Sequence, residues 1–281
     1  MILVLFARYF IDFLLISLLG WLYESTLDTI KTGHFVNRGF LFGPICPIYG
    51  TGGIAVLAIC ENLPAVNQST PYWEMFLIYA AGSAVLEYVT SWVMEKKFHA
   101  RWWDYSKMPL NIQGRICLPA TLLFGVMGIA GQKYLVPLIH NHRALLSPLA
   151  CEGIAMLLTA FFAADTALSA AAASQLIRRM ETTRDTFNNA VESGIVKVKE
   201  IPVKAAAEKD KLENAVDSAK EEITTTAADA KEQLLNKLQQ ALPSQENHHL
   251  HNMKHFIDPD IEELAASLRK KKEAHFNEKR K

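Results

Sequence analysis

The 281-residue chain is 50% hydrophobic and 21% charged with a formal net charge of zero, and these averages conceal two unlike parts. Residues 1–177 are apolar, whereas from Arg178 onward Lys, Glu, Asp, Gln and Ala prevail and aromatics are few. The zero net charge describes neither part and points to no partner; no nucleic-acid partner is expected, and the four cysteines, Cys46, Cys60, Cys117 and Cys151, have neither CxxC nor zinc-site spacing.

Five apolar runs reach the roughly 20 residues a membrane helix needs: 5–30, 42–61, 72–94, 116–139 and 145–172. The first lacks a basic leader and small-residue cleavage site, so it reads as a retained helix. In it, Arg8 and Asp12 stand four apart, where they can pair along one helix face. Glu24 lies seven residues before Lys31, about 10 Å inside the membrane boundary, a depth at which a carboxylate needs a partner.

The second run opens on Asn37-Arg38-Gly39-Phe40-Leu41-Phe42-Gly43-Pro44-Ile45-Cys46-Pro47. Prolines lack a donor and glycines permit irregular backbone, which survives at membrane depth only where protein or trapped water satisfies it. The sequence therefore predicts a packed helix entrance, with the helix broken near 42–53. Gly50, Gly52 and Gly53 here, and Gly125, Gly128 and Gly131 in the fourth run, offer surfaces for close helix contact.

The third run carries Glu87, and the link after it holds Arg101-Trp102-Trp103-Asp104-Tyr105, Asn111, Gly114 and Arg115. Adjacent tryptophans suit the headgroup region and would lay this link on the inner membrane surface. The same link could instead form a lid, with Arg101 and Asp104 binding a polar or phosphate-bearing ligand. The outer links, Asn62 to Pro71 and His140 to Arg143, read as solvated turns, and Asp165 reads either as facing the cluster or, the preferred reading, as an inner-interface residue.

Lys and Arg concentrate in the first link (Lys31, Arg38), the third (Lys96, Lys97, Arg101, Lys107, Arg115) and after the fifth run (Arg178, Arg179). By the positive-inside rule, five spans then place the N-terminus outside and the C-terminus in the cytoplasm. Glu24, Arg38, Glu87 and Arg115 all fall toward the cytoplasmic side, with Asn37 and Asn111 expected to complete their hydrogen bonds. This cluster either binds a polar solute or serves only to fix helix packing. The pattern of helix, basic link and helix also recurs faintly, as a parallel repeat.

In the tail, Leu212, Val216, Ala219, Ile223, Ala227, Ala230, Leu234, Leu238 and Ala241 keep a period of about 3.6, a straight helix rather than a heptad coil. His248-His249-Leu250-His251 reads as a flexible polar linker. No metal site or cofactor is expected. The chain has no GxxxxGK[ST], HExxH or GxSxG motif, so ATP-driven work would need a separate ATPase subunit.

Gly20-Trp21-Leu22-Tyr23-Glu24, the string Asn37 to Gly50, Arg101-Trp102-Trp103-Asp104-Tyr105, Asn111 and Gly114-Arg115 together resemble the bacterial integral-membrane family described as putative ABC-transporter type IV permeases, over residues 10–170. The resemblance implies a multi-span inner-membrane protein of permease type and brings no substrate with it.

The expectation is an all-α polytopic membrane bundle of about five helices (1–177) with a long cytoplasmic, helical and partly disordered tail (178–281). The favoured function is a permease subunit in the bacterial plasma membrane whose cluster binds a solute. Its partners would be the bilayer, an ATPase, and a second copy or a tail-bound protein. A non-transporting scaffold and an intramembrane enzyme acting on lipid headgroups, with Glu24 or Asp104 as base, are the alternatives.

Overall fold

The computed structural model describes residues 2–62, 70–199, 236, 240, 242–256 and 258–278. Helix α1 (Ile2–Thr32) has no proline and runs unbroken for 31 residues until Gly33, whose φ of 71° is the left-handed stop that favours glycine. Residues 33–46 then form no helix. Helix α2 (Pro47–Asn62) begins at the second proline, where the first turn needs no N–H. The expected break within 42–53 is thus corrected. The irregular stretch ends at Cys46, and from Pro47 the helix is continuous, because Gly43 and Pro44 precede it rather than interrupt it.

Although only 16 residues long, α2 lies along α1 from end to end. Tyr49 at its start donates to Glu24 (2.9 Å), and Glu61 at its finish accepts from Tyr9. Residues 9 and 24 are about 22 Å apart on a helix, so α2 is antiparallel to α1 over that length. Glycines allow the contact: a Cβ at Gly20 would fall 2.3 Å from the Tyr49 ring, and one at Gly50 would fall 2.1 Å from Ser17 Oγ. Gly52 and Gly131 make no such approach.

Helix α3 (Tyr72–Phe98) ends at left-handed His99. A short strand β1 (Ala100–Arg101) follows, and then a hairpin in which β2 (Asn111–Ile112) pairs antiparallel with β3 (Ile116–Cys117), Asn111 opposite Cys117. Helix α4 (Leu118–Ala130), a π-helical turn (Gly131–Leu135) and α5 (Val136–Leu145) return along α3, where Gly128 sits against the Tyr79 side chain. The two hairpins α1–α2 and α3–α4 are the most extensive helix pairings, in line with the faint repeat.

Helix α6 (Pro148–Lys199) packs Cys151 and Ala155 against Ala7 and Ile11 near the start of α1. Four stretches, Ile2–Thr32, Tyr72–Phe98, Leu118–Asn141 and Pro148–Thr186, are long and apolar enough to cross a membrane; α2 falls short in length. Their outward faces expose Phe6, Leu22, Val85, Val126, Leu157 and Phe161, side chains suited to lipid. The result is an all-α polytopic helical bundle.

The chain divides into two units, Met1–Ala173 with His251–His255, and Ser174–Leu250 with Phe256–Lys281. In the second, which includes α7 (Ser244–Asn252) and α8 (Pro259–Glu278), Leu176, Met180, Leu250, Phe256 and Leu268 are buried. Glu246 there meets Arg179 at 3.0 Å, and Arg269 Nε donates to the Leu250 carbonyl (3.1 Å). The His-rich stretch is therefore not a flexible linker: it lies on α7 with His249 fully buried. The apolar series from Leu212 to Ala241 lies outside the described residues.

Candidate functional site

At the end of the bundle where both basic links lie, the irregular segment is secured first. Phe42 and Gly43 donate their backbone N–H groups to the Asp165 carboxylate (3.0 and 2.9 Å), Phe42 also reaches Ser169 Oγ (3.1 Å), and Cys46 N–H reaches the Ser17 carbonyl (3.0 Å). Asp165 thus corrects its interface reading: it is the acceptor that satisfies backbone released by Pro44 and Pro47. No residue adjacent in sequence announces that role.

Asn37 and Arg38 are built into the same corner. Trp21 Nε1 donates to Asn37 Oδ1 (2.6 Å), and Asn37 Nδ2 donates to the Phe42 carbonyl (2.7 Å). Arg38 meets Asp28 at 3.0 Å and Glu24 at 3.7 Å, and its Nη1 donates to Asn252 Oδ1 (3.4 Å). Fully buried Asn252 returns a bond from Nδ2 to the Asn37 carbonyl (3.0 Å). Sequence reasoning named neither Asp28 nor Asn252. Asp28 is one turn beyond Glu24, a spacing that could have drawn notice; Asn252 is 214 residues from Arg38 and could not.

The link after α3 builds a second network. Glu95 accepts from Arg101 and from Arg115 Nη2 (2.8 Å), so one carboxylate joins two guanidinium groups. Arg101 Nη1 also donates to the Gln113 carbonyl (2.8 Å), Tyr88 donates to Gln113 Oε1 (2.9 Å), and the Arg115 guanidinium stands over the Tyr88 ring at 5.5 Å. Gln113 holds a positive φ of 53°, a strained position fixed by these bonds. Tyr105 hangs from this link and donates to Glu87 Oε1 (3.3 Å).

Burial raises the Tyr105 phenol well above its ordinary pKa, and the nearby carboxylates of Glu87 and Glu24 add to the effect. The charge of Glu24 reaches Tyr105 as that of Glu87 does, but only Glu87 is hydrogen-bonded to it. Among the predicted residues, Glu24, Arg38, Glu87 and Arg115 are brought to one end of the bundle, as two adjoining networks rather than one ring of ion pairs.

Other expectations are corrected. Asn111 does not join the cluster; it closes its own hairpin, donating to Met108 O (2.9 Å) and accepting from Gly114 N–H (3.0 Å). Asp104 is exposed and forms a local turn with Ser106. Burial pushes its carboxyl up, but the side-chain and backbone bonds from Ser106 outweigh that and hold it below the usual range. Trp102 is not laid on a surface: it is buried, 5.4 Å from Phe40 and 5.6 Å from Phe98, while Trp103 Nε1 donates to the Arg115 carbonyl (2.9 Å).

The opposite end is not plain solvated turn either. Buried Asp12 is paired with Arg143 at 2.6 Å, and Glu61 accepts from Arg143 (2.7 Å), His140 (2.9 Å) and Tyr9. Asp12 is thus held across the bundle by a residue 131 positions away, whereas Nε of Arg8, the expected helical partner, has no hydrogen bond among the described residues.

Both ends of the bundle hold buried polar atoms without a hydrogen bond among the described residues: Arg8 Nε and Arg143 Nη2 at the far end, and Glu87 Oε2, Ser91 Oγ and Arg115 Nη1 at the link end, whose side chains are 6%, 2% and 7% exposed. Buried polar groups of native proteins are overwhelmingly partnered, so three orphans on neighbouring side chains call for an explanation. Among the described residues no group of His, Cys, Asp and Glu is arranged to hold a metal.

A family profile described as "Putative ABC-transporter type IV" matches residues 11–170. The chain belongs to this family. The matched stretch contains every element of the site except Asn252, and ends just beyond Asp165 and Ser169. No curated protein and no solved structure matches the chain.

Proposed function

We propose that the chain is the membrane-spanning subunit of an ATP-driven transporter, and that it binds a polar solute among Glu87, Ser91 and Arg115, with Glu24, Asn37 and Arg38 framing the approach. The observation that carries this reading is the set of three buried, unpartnered polar atoms under the Tyr105 link. The family membership supports the transporter class and, with it, a separate ATPase partner. The count of Lys and Arg supports a bacterial plasma-membrane orientation with N-terminus outside and the site open to the cytoplasm.

The chain purified from its native membrane should bring with it a P-loop ATPase subunit whose hydrolysis rises when the two are reconstituted together. Repeated purification in mild detergent with no ATPase present would overturn the ATP-driven reading. One observation favours the scaffold alternative: Arg38 has its needs met by Glu24, Asp28 and Asn252, as in a packing network. Reconstituted vesicles separate the two, because a scaffold carries no ATP-dependent solute flux.

A further inference from the structure

We infer that the ligand of the Glu87–Ser91–Arg115 site is a small zwitterion bearing a primary ammonium beside a carboxylate or phosphate, an inference that rests on the solute-site reading above. Glu87, Ser91 and Glu95 recur every four residues on α3 and so share one face, with about 6 Å between successive positions. Arg115 is anchored at the Glu95 level by its Nη2 bond and lies over the ring of Tyr88, so its guanidinium spans the turn that contains Ser91.

Three unused atoms result: a carboxylate oxygen, Glu87 Oε2; a hydroxyl on the residue one turn further along α3, Ser91 Oγ; and a guanidinium N–H, Arg115 Nη1, on the side chain bound to Glu95. Carboxylate oxygen only accepts and guanidinium only donates, while a hydroxyl does either. A ligand meeting all three must present a donor to Glu87 and an acceptor to Arg115. A small molecule that carries both an ammonium and an anion meets that demand.

Charge favours the same answer. Glu95 already neutralises part of both Arg101 and Arg115, and Glu87 takes a hydrogen bond from Tyr105 but no cation from the protein. A simple anion would satisfy Arg115 and leave the buried Glu87 carboxylate unpaired; a simple cation would do the reverse. Either leaves one buried group unmatched, and that mismatch is what discriminates strongly between ligands. The source of the zwitterion is either a free amino acid or phosphoethanolamine in the cytoplasm, or the headgroup of phosphatidylethanolamine.

The test is thermal unfolding of the purified full chain with the protein amino acids and phosphoethanolamine, beside propionate as anion alone and propylamine as cation alone. Parallel samples in phosphatidylcholine nanodiscs, with and without phosphatidylethanolamine, report the lipid source. The expectation is that a zwitterion raises the transition of the wild type by several degrees, that propionate and propylamine do not, and that Glu87→Gln weakens the response at least tenfold. Ser91→Ala, a milder change, should weaken it several-fold and guards against a fold defect in the first variant.

Stabilisation only in nanodiscs containing phosphatidylethanolamine, sensitive to Glu87→Gln, would support the inference with lipid as the source. Stabilisation by propionate or propylamine as strong as by any zwitterion would overturn the inference while leaving the solute-site reading standing. Response to none of the probes would overturn both.

Discussion

Replacing Asp165 by alanine tests how the helix entrance is held. Its carboxylate accepts two backbone N–H bonds, from Phe42 at 3.0 Å and Gly43 at 2.9 Å, and a third bond from Ser169 Oγ at 3.1 Å. A charge-assisted hydrogen bond contributes about 1.5–3 kcal/mol, and leaving a buried donor unmet costs about 1–3 kcal/mol. Ser169 Oγ remains as an alternative acceptor for Phe42, so the unmet donor is chiefly Gly43 N–H. The expected loss for Asp165→Ala is therefore about 2–4 kcal/mol.

Asp165→Asn keeps one carbonyl oxygen and should lose about half as much. At roughly 2–4 °C per kcal/mol for a chain of this size, the order in a thermal unfolding series is wild type, then Asn, then Ala, with about 5–15 °C between the extremes. Trypsin sensitivity at Arg38 should rise in the same order. An alanine variant within about 1 °C of wild type would refute the argument that Asp165 satisfies this backbone.

Gly20→Ala should destabilise by about 1–3 kcal/mol, since its Cβ would overlap the Tyr49 ring, whereas Gly82→Ala, with open space around it, should not; the two unfolding curves side by side check this. Arg143→Ala strips buried Asp12 of its 2.6 Å partner and should cost about 3–5 kcal/mol, with Arg143→Lys recovering part of it in the same assay. His251 keeps an exposed edge, but desolvation of the rest of its ring, then the charges of Lys254, Arg38 and His34, push it down to about 4 against the opposing pull of Asp28. Its neutral form is the one that the fold accepts, so its contribution is complete above about pH 6.5, the unfolded value, and is lost as pH falls toward 4. His251→Gln should flatten the dependence of the unfolding temperature on pH across that window, and an unchanged slope would count against it.

What the sequence revealed divides by distance along the chain. Helix α1 and the third and fourth runs were legible because length and apolar composition decide them locally. The polar end was also legible: Glu24, Arg38, Glu87 and Arg115 stand out because charge inside an apolar run is costly. Pairing was not legible. Asp12 chose Arg143 over Arg8, because a bundle brings a distant guanidinium into the buried position that the one-turn neighbour cannot fill. Asp165 and Asn252 serve backbone and side chains more than 120 residues away, and nothing in their own flanks records it. Residue type alone points Trp102 to the headgroups; the aromatic contacts of Phe40 and Phe98 decide otherwise. The entrance segment was read correctly as irregular, but its end was not, since Pro47 starts a helix as readily as it breaks one.

The central claim is that the site opens to the cytoplasm, with both basic links on that side and the Asp12–Glu61–Arg143 network on the other. The native cysteines are all buried, so single cysteines placed at the exposed positions Phe35, Lys107 and Leu145 can be read by an impermeant maleimide in right-side-out vesicles. The account predicts labelling at 145 alone, with 35 and 107 reacting only after the membrane is permeabilised. Labelling of 35 or 107 in sealed vesicles would contradict it.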